Sequence, residues 1–263
     1  MSYVVFVPVQ TSRWPLLISF SVFSFLTNIV FYFHYKASLY LVLVCRLFLV
    51  LVSFMWWKDV VRERVIGYHS HKLEARIRFG MLLFILSEVF FFVSFFWAFF
   101  DASLAPVVDI GILWPPKGIS PLSMYSVPLL NTIILLARGV TVTWAHHSII
   151  SNSFTKSVLS LFLTISLGVY FLVLQYIEYC EAQFAIRDGA YGTTFFVSTG
   201  FHGMHVIIGT LFLIYSFILL IKGKLISNHH VTFELARWYW HFVDVVWLYL
   251  FVIVYGWSSI GVI

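Results

Sequence analysis

Glu88 is the residue of this sequence whose position most strongly suggests chemistry. It is the only Asp, Glu, Lys, Arg or His in the 22-residue stretch 79–100, FGMLLFILSEVFFFVSFFWAFF. A helix of that length spans about 33 Å, enough to cross the hydrocarbon core of a bilayer. Because a carboxylate is costly in lipid, we expect Glu88 to face protein or water, as a proton-active or a structural group. In the structural case, Ser, Thr or His on a neighbouring span would hydrogen-bond to it.

The histidines are the second set of residues that could do chemistry. His202 and His205 are three residues apart, so one helix face would present both to a metal ion or a haem. The sequence has no Glu-x-x-His motif, which argues against a ferritin-like di-iron centre. We therefore expect no metal on this chain, and we expect the histidines to hydrogen-bond between helices or contact headgroups. The other members of the set are His146, His147, His229, His230 and His241.

The third set combines aromatic and charged residues at the end of the second apolar run. Tryptophans beside cations are typical of the membrane–water interface. A guanidinium beside indole rings is also suited to holding a phospholipid headgroup. The residues alone leave both interpretations open for Trp56, Trp57, Lys58, Asp59, Arg62 and Glu63.

Asp244 is a second carboxylate inside an apolar segment, WYWHFVDVVW at 238–247. A charge at that depth needs a partner within the helix bundle. Arg138 and His241 are both candidates, and the sequence does not choose between them.

The composition excludes a soluble protein. The chain of 263 residues is 61% hydrophobic and only 10% charged, against roughly 25% charged residues in soluble domains. Its net charge of +5 does not indicate nucleic-acid binding, because the basic residues lie between apolar runs and form no periodic polar face. Phosphate-binding loops, dinucleotide fingerprints, nucleophile elbows and HExxH motifs are all absent from the sequence. We expect no catalytic site and no cofactor held by this chain alone.

Charges and Pro/Gly clusters divide the chain into seven apolar spans, which predicts an all-α polytopic membrane protein. We expect one membrane domain with a two-helix bundle at 14–57, a basic loop at 58–78 and a five-helix bundle at 79–258. The predicted spans are 14–35, 39–57, 79–100, 127–150, 158–177, 191–221 and 238–257.

The basic residues between the spans predict how the chain is oriented. Lysine and arginine accumulate on the cytoplasmic side of membrane proteins, or on its mitochondrial equivalent, the matrix. The side of the N-terminus receives eleven of them and the other side three, Lys36, Lys117 and Arg187. No Arg-rich transit peptide is recognisable, so we expect a bacterial protein or one made inside the organelle that uses it. The eleven are Arg13, Lys58, Arg62, Arg64, Lys72, Arg76, Arg78, Lys156, Lys222, Lys224 and Arg237.

Six stretches of the chain carry a family resemblance. They are WWKDVVRE (56–63), RFGMLLFILSEVFFFVSFFWAFFDASLAP (78–106), WPPKGI (114–119), VPLLNTIILLARGVTVTWAHHS (127–148), QYIEYCEAQFAIRDGAYGTTFFVSTGFHGMHVIIGT (175–210) and SNHHVTFELARWYWHFVDVVWL (227–248). In these stretches, and in their order, the chain resembles subunit III of the haem-copper oxidases. The resemblance runs from residue 56 nearly to the end, and residues 1–55 carry little of it.

The resemblance implies a subunit of seven helices in a V-shaped arrangement of two and five, with phospholipids in the cleft. Haem and copper would belong to the partner subunits of a complex that oxidises cytochrome c, reduces oxygen to water and pumps protons. Subunit III would contact and stabilise the catalytic subunit I, support proton uptake and offer oxygen a path through the cleft. A subunit III of a related quinol oxidase is the close alternative. The implied location is the mitochondrial inner membrane, with the N-terminus in the matrix and the C-terminus in the intermembrane space.

The resemblance also implies roles for single residues. Glu88 matches the family's membrane carboxylate, which contacts subunit I and is tied to proton uptake. Lipid headgroups are expected near Trp57, Arg62, Glu63 and His69.

The chain departs from the family pattern at three positions. Asp101 stands where a histidine is expected, and Arg237 where a small residue is expected. Leu219 stands where an arginine that binds lipid phosphate is expected, so we expect Lys222 or Lys224 to make that contact.

Two other classes of function compete on the residues alone. A transporter could use Glu88 as a proton carrier, but the sequence lacks the internal symmetry typical of that class. A histidine-dependent membrane oxidase or desaturase would need its histidines on one side of the membrane, whereas these are spread along the spans and on both sides.

Overall fold

The computed structural model describes residues 11–36, 38–67, 71–108, 111–225, 227 and 230–260. All regular structure in these residues is helical. The helices are α1 (Trp14–Tyr35), α2 (Leu39–Ile66), α3 (His71–Leu104), α4 (Val127–Ile150), α5 (Phe154–Glu181), α6 (Gly189–Ile221), α7 (Val231–Leu250) and α8 (Trp257–Ile260), with a π-helical turn at Phe251–Gly256 between α7 and α8.

Among the described residues, seven helices are long and apolar enough to cross a membrane, which confirms the predicted all-α membrane fold. The first and fourth predicted spans have the same bounds as α1 and α4. Lys36 ends α1 in the left-handed conformation, with its backbone N–H donated to the Phe31 carbonyl. A proline stands in the first turn of both helices, where it costs no backbone hydrogen bond.

The chain divides into two compact units, Met1–Arg76 and Ile77–Ile263. In the first unit, α1 and α2 pack as an antiparallel pair. The Trp14 indole N–H donates to Asp59 Oδ2 at 2.6 Å and joins the start of α1 to the end of α2. Most apolar side chains of this pair are exposed, as expected of helices that face lipid or another chain.

The predicted loop at 58–78 is wrong in extent. Helix α2 continues to Ile66, and α3 begins at His71. The apolar pattern stops near Trp57, but no glycine or proline interrupts the chain until Gly67, which has a φ of 92°. Because Lys, Arg and Glu are good helix formers, the helix runs on beyond its apolar part.

The second unit has its core among α4, α5, α6 and α7. Trp240 and Trp247 of α7 are both fully buried there. Gly168 of α5 and Gly209 of α6 lie directly against the Trp240 indole. Any side chain at these two positions would therefore collide with the ring. Small residues of this kind let membrane helices approach one another closely.

Helix α3 packs on the surface of the second unit through aromatic rings. Phe91 lies 5.0 Å from Phe201 of α6, and Phe84 lies 6.1 Å from Tyr239 of α7, between ring centroids. The opposite face of α3 is apolar and exposed. This packing places Glu88 beside α6 and α7.

Candidate functional site

Glu88 and His205 form a pair between α3 and α6. His205 Nε2 lies 2.9 Å from Glu88 Oε2, and the ring's other nitrogen, Nδ1, lies 2.7 Å from the Phe201 carbonyl oxygen. The side chain of Glu88 is 21% exposed and that of His205 is 9% exposed. The carboxyl therefore meets a partner within the bundle and remains open on one side.

The two hydrogen bonds of His205 determine where its protons are. A carbonyl oxygen can only accept, so Nδ1 carries a proton and donates it to Phe201. Nε2 then accepts a proton from a neutral Glu88, or donates its own as part of an imidazolium paired with a carboxylate. In both forms one proton is shared between Oε2 and Nε2. The pair can hold and transfer that proton without any other group.

Aromatic rings enclose the His205 side of the pair. The ring centroid of Phe92 lies 5.0 Å from that of His205, and Tyr239 stacks on the imidazole at 6.2 Å. Phe91 and Phe242 complete the enclosure at 6.3 and 6.4 Å. These rings exclude water from the imidazole and strengthen its electrostatic coupling to Glu88.

Asp244 pairs with Arg138, the first of its two candidate partners. Arg138 Nε donates to Asp244 Oδ1 at 3.0 Å, and Nη2 lies 3.0 Å from the same oxygen. His241 Nδ1 is 3.8 Å from the other oxygen and its side chain is 44% exposed. The guanidinium lies between the rings of Trp240, at 4.6 Å, and Phe171, at 4.8 Å. A fully buried cation is thus held by one carboxylate and two aromatic faces.

His202 and His205 do not act as a pair. His202 is buried against Phe171 and Trp247, with ring centroids 5.8 and 5.2 Å apart, and neither of its nitrogens has a hydrogen-bond partner in the described part of the chain. Only His205 reaches Glu88. Both histidines lie on α6, but their rings contact different side chains.

A polar cluster lies where α4 ends and α7 begins. Atoms of His146, His230 and Glu234 that could ligate a metal lie within 4.8 Å of one another. A cation is already there, because Arg237 Nη1 lies 2.7 Å from His146 Nδ1. Arg78 of α3 pairs with Glu234 Oε2 at 2.8 Å. The two guanidinium groups supply the positive charge that a metal ion would bring, so the expectation of no metal on this chain stays our prediction.

The remaining histidine positions are less informative. His147 is exposed, and its ring lies 5.8 Å from that of His146. His69 and His229 lie outside the described residues.

The described residues predicted to contact headgroups lie in the second half of α2 and at or just after the end of α6. Trp57 and Arg62 are exposed on α2, and Trp56 is half-buried. Glu63 lines an open pocket with Asp59 and the start of α1. In the second unit, Lys222 caps the end of α6 and Lys224 follows it, both exposed.

The three departures from the family pattern have clear positions. Asp101 is exposed in the last turn of α3. Leu219 is 6% exposed and packs in the core of the second unit. Arg237 makes the contact with His146, so its long side chain fills space that a small residue would leave open.

Sequence reasoning missed two features of the second unit. The Arg78–Glu234 pair joins residues 156 positions apart, which no local pattern reveals. Glu178 is a third carboxyl buried among the helices, 2% exposed. Its position one residue beyond the predicted span 158–177 would have been a signal, but Glu181 follows closely and the pattern does not say which one faces inward.

Comparison with known proteins gives a consistent result along the whole chain. The family model described as cytochrome c oxidase subunit III matches residues 5–259. Cytochrome c oxidase subunit 3 of Dugong dugon is 52% identical over 252 residues, which cover 95% of this chain and 96% of that protein. The subunits of Struthio camelus and Latimeria chalumnae are 52% and 50% identical over the same shares of each chain. The chain therefore belongs to the cytochrome c oxidase subunit III family, and it is a non-redox, inner-membrane subunit of that respiratory oxidoreductase complex.

Proposed function

We propose that this chain supports proton uptake and stability of subunit I, its main contact, and that Glu88 and His205 carry that role. The observation behind the proposal is the 2.9 Å contact between Glu88 Oε2 and His205 Nε2, which shares one proton. The pair is enclosed by rings on the α6 and α7 side and open at the carboxyl. An open carboxyl within the otherwise apolar span 79–100 is suited to contact with another membrane subunit.

We also propose that the subunit lies in the mitochondrial inner membrane with its N-terminus in the matrix. The eleven basic residues on the N-terminal side support this orientation. Exposed Arg62 and Trp57, together with Glu63, would contact phospholipid headgroups, and Lys222 or Lys224 would replace the arginine expected at Leu219. Haem and copper would reside in the partner subunits.

The test is Glu88→Gln in the complete oxidase complex, reconstituted in vesicles. The amide keeps the shape and a hydrogen bond to His205 but cannot give up or take up a proton. We expect proton uptake during turnover to fall severalfold, with the haem optical spectrum and the subunit content unchanged. His205→Gln should give the same phenotype, because it also removes the shared proton.

Ser87→Ala is the matched control, since the Ser87 hydroxyl only donates to the Phe84 carbonyl of its own helix. It should leave proton uptake at the wild-type rate. Normal uptake in both Glu88→Gln and His205→Gln would contradict the proposed proton role. Loss of subunit I on purification of either variant would show that the pair is structural only.

A further inference from the structure

A second polar cluster lies in the five-helix unit, formed by residues other than the Glu88–His205 pair. Its members are Asn131 of α4, Gln175 and Glu178 of α5, and Tyr255 of the π-helical turn. Their exposed fractions are 0%, 4%, 2% and 2%. Four polar side chains are thus enclosed where neither lipid nor a partner subunit can reach them.

Several polar atoms of this cluster have no partner within the part of the chain that the structure describes. Both carboxyl oxygens of Glu178 and the Oδ1 atom of Asn131 lack a hydrogen bond. Buried polar atoms are almost always hydrogen-bonded, to protein or to an ordered water molecule, because leaving them bare costs about 1–3 kcal/mol each. These three bare oxygen atoms therefore indicate hydrogen-bond partners other than the side chains of the cluster.

The hydrogen bonds that do occur in the cluster are long. Asn131 Nδ2 donates to Gln175 Oε1 at 3.5 Å, and Gln175 Nε2 donates to the Tyr255 hydroxyl at 3.4 Å. Good bonds between such groups have heavy-atom distances of about 2.7–3.2 Å. The Tyr255 hydroxyl lies next to the Glu178 carboxyl, yet no bond of good geometry joins them. The four groups are therefore poorly paired with one another.

The charge of the cluster is also informative. No ion pair of Glu178 occurs among the described residues, and the group next to its carboxyl is the neutral phenol of Tyr255. An isolated carboxylate in so dry a place would be far less favourable than the neutral acid. Asp244, by contrast, has the Arg138 guanidinium at 3.0 Å.

We propose that Asn131, Gln175, Glu178 and Tyr255 form an internal water-binding site, in which Glu178 is a neutral carboxylic acid. One or two water molecules would donate to Asn131 Oδ1 and to a Glu178 oxygen, and would accept from the acid proton. A buried water usually makes about three hydrogen bonds, and the three bare oxygens, two acceptors and the acid O–H, provide that number here. The site is a store of one proton and bound water, separate from the pair on α3 and α6.

The proton is tested by infrared spectroscopy of the complete oxidase complex. A neutral carboxylic acid has a C=O stretching band that carboxylates and amides lack. Glu178→Gln should remove one such band, and the wild-type band should shift in D₂O. Glu181→Gln is the control, since Glu181 is an exposed carboxyl on the same helix and its loss should leave that region unchanged. If Glu178→Gln leaves the carboxylic-acid C=O region unchanged, the proposal that Glu178 is a neutral acid is overturned.

The water is tested on the wild-type complex by cryo-electron microscopy at a resolution that shows ordered solvent, so no variant has to fold. We expect a density peak within hydrogen-bonding distance of Glu178 and Asn131. The same map of Asn131→Leu should have lost it. A clear map with no peak between these side chains in the wild type would overturn the water site.

Discussion

Single residues of the second unit show how a membrane helix bundle holds polar groups. Glu88 meets a histidine, Asp244 meets an arginine, and Glu178 has no ion pair among the residues that the structure describes. Glu88 and Asp244 lie inside predicted spans and Glu178 directly follows one, so their sequence surroundings look alike, but their partners differ in charge. The partner, and not the span, decides whether the carboxyl is ionised, shared or neutral.

The Arg138–Asp244 pair gives the first prediction at this scale. Asp244→Asn leaves the Arg138 guanidinium fully buried without its counter-charge, which should destabilise the subunit by about 3–5 kcal/mol. The measurement is the temperature at which this subunit dissociates from the purified complex on heating in detergent.

The matched control changes both members of the pair. Arg138→Met together with Asp244→Leu removes both charges and keeps an unbranched side chain between the Trp240 and Phe171 rings. Because apolar replacements of buried pairs are often neutral, this double variant should recover most of the lost stability. A double variant as unstable as Asp244→Asn would mean that the pair contributes more than charge compensation.

At the scale of helices, close approach of α5, α6 and α7 depends on two glycines around one indole. A methyl group on Gly209 would lie 2.8 Å from Trp240 Cε3, and one on Gly168 would lie 2.9 Å from Cη2. The indole is fully buried and held from both sides, so it cannot move away from either.

We therefore predict that Gly209→Ala destabilises the five-helix unit by about 1–3 kcal/mol through overpacking. Gly203→Ala on the same helix is the control, since a methyl group there meets nothing within 4 Å. The control should be neutral or slightly stabilising, because alanine favours helix over glycine. The readout is again the dissociation temperature, and equal values for the two variants would contradict the packing argument.

Much of the helix layout could be predicted from the sequence, and the reasons are local. Helices α1 and α4 match their predicted bounds because proline and polar residues mark their ends. The charged part of α2 beyond Trp57 was missed because hydropathy reports the membrane, whereas helix formation depends on backbone propensity. For Asp244 and Glu88 the sequence narrowed the list of possible partners but did not identify the partner. The observed partners are 106 and 117 residues away in sequence, and no local pattern reports contacts over such separations.

For the molecule as a whole, family membership identifies the complex, whereas the charge distribution predicts the orientation of the chain in the membrane. The family assigns the chain to cytochrome c oxidase, which removes the quinol-oxidase and transporter alternatives. The orientation of the termini rests on the basic residues alone.

The orientation gives the last prediction. An epitope fused to the C-terminus should bind antibody on intact mitoplasts, whose outer face is the intermembrane-space side of the inner membrane. An epitope at the N-terminus should bind antibody only after the membrane is permeabilised. The reverse pattern would contradict the matrix-side N-terminus, and oxidase activity in both tagged strains provides the control for correct assembly.

The position of the proton shared by Glu88 and His205 can be compared with the membrane potential that respiration generates. Its two forms have the same net charge, so moving the proton makes or removes a local ion pair and displaces one charge by about 1 Å. A voltage of 100 mV is worth about 2.3 kcal/mol for a charge that crosses the whole membrane of about 30 Å, and hence about 0.1 kcal/mol for this step. That is well below thermal energy. The energised membrane therefore cannot set where this proton rests, and a nearby charge on a neighbouring chain can.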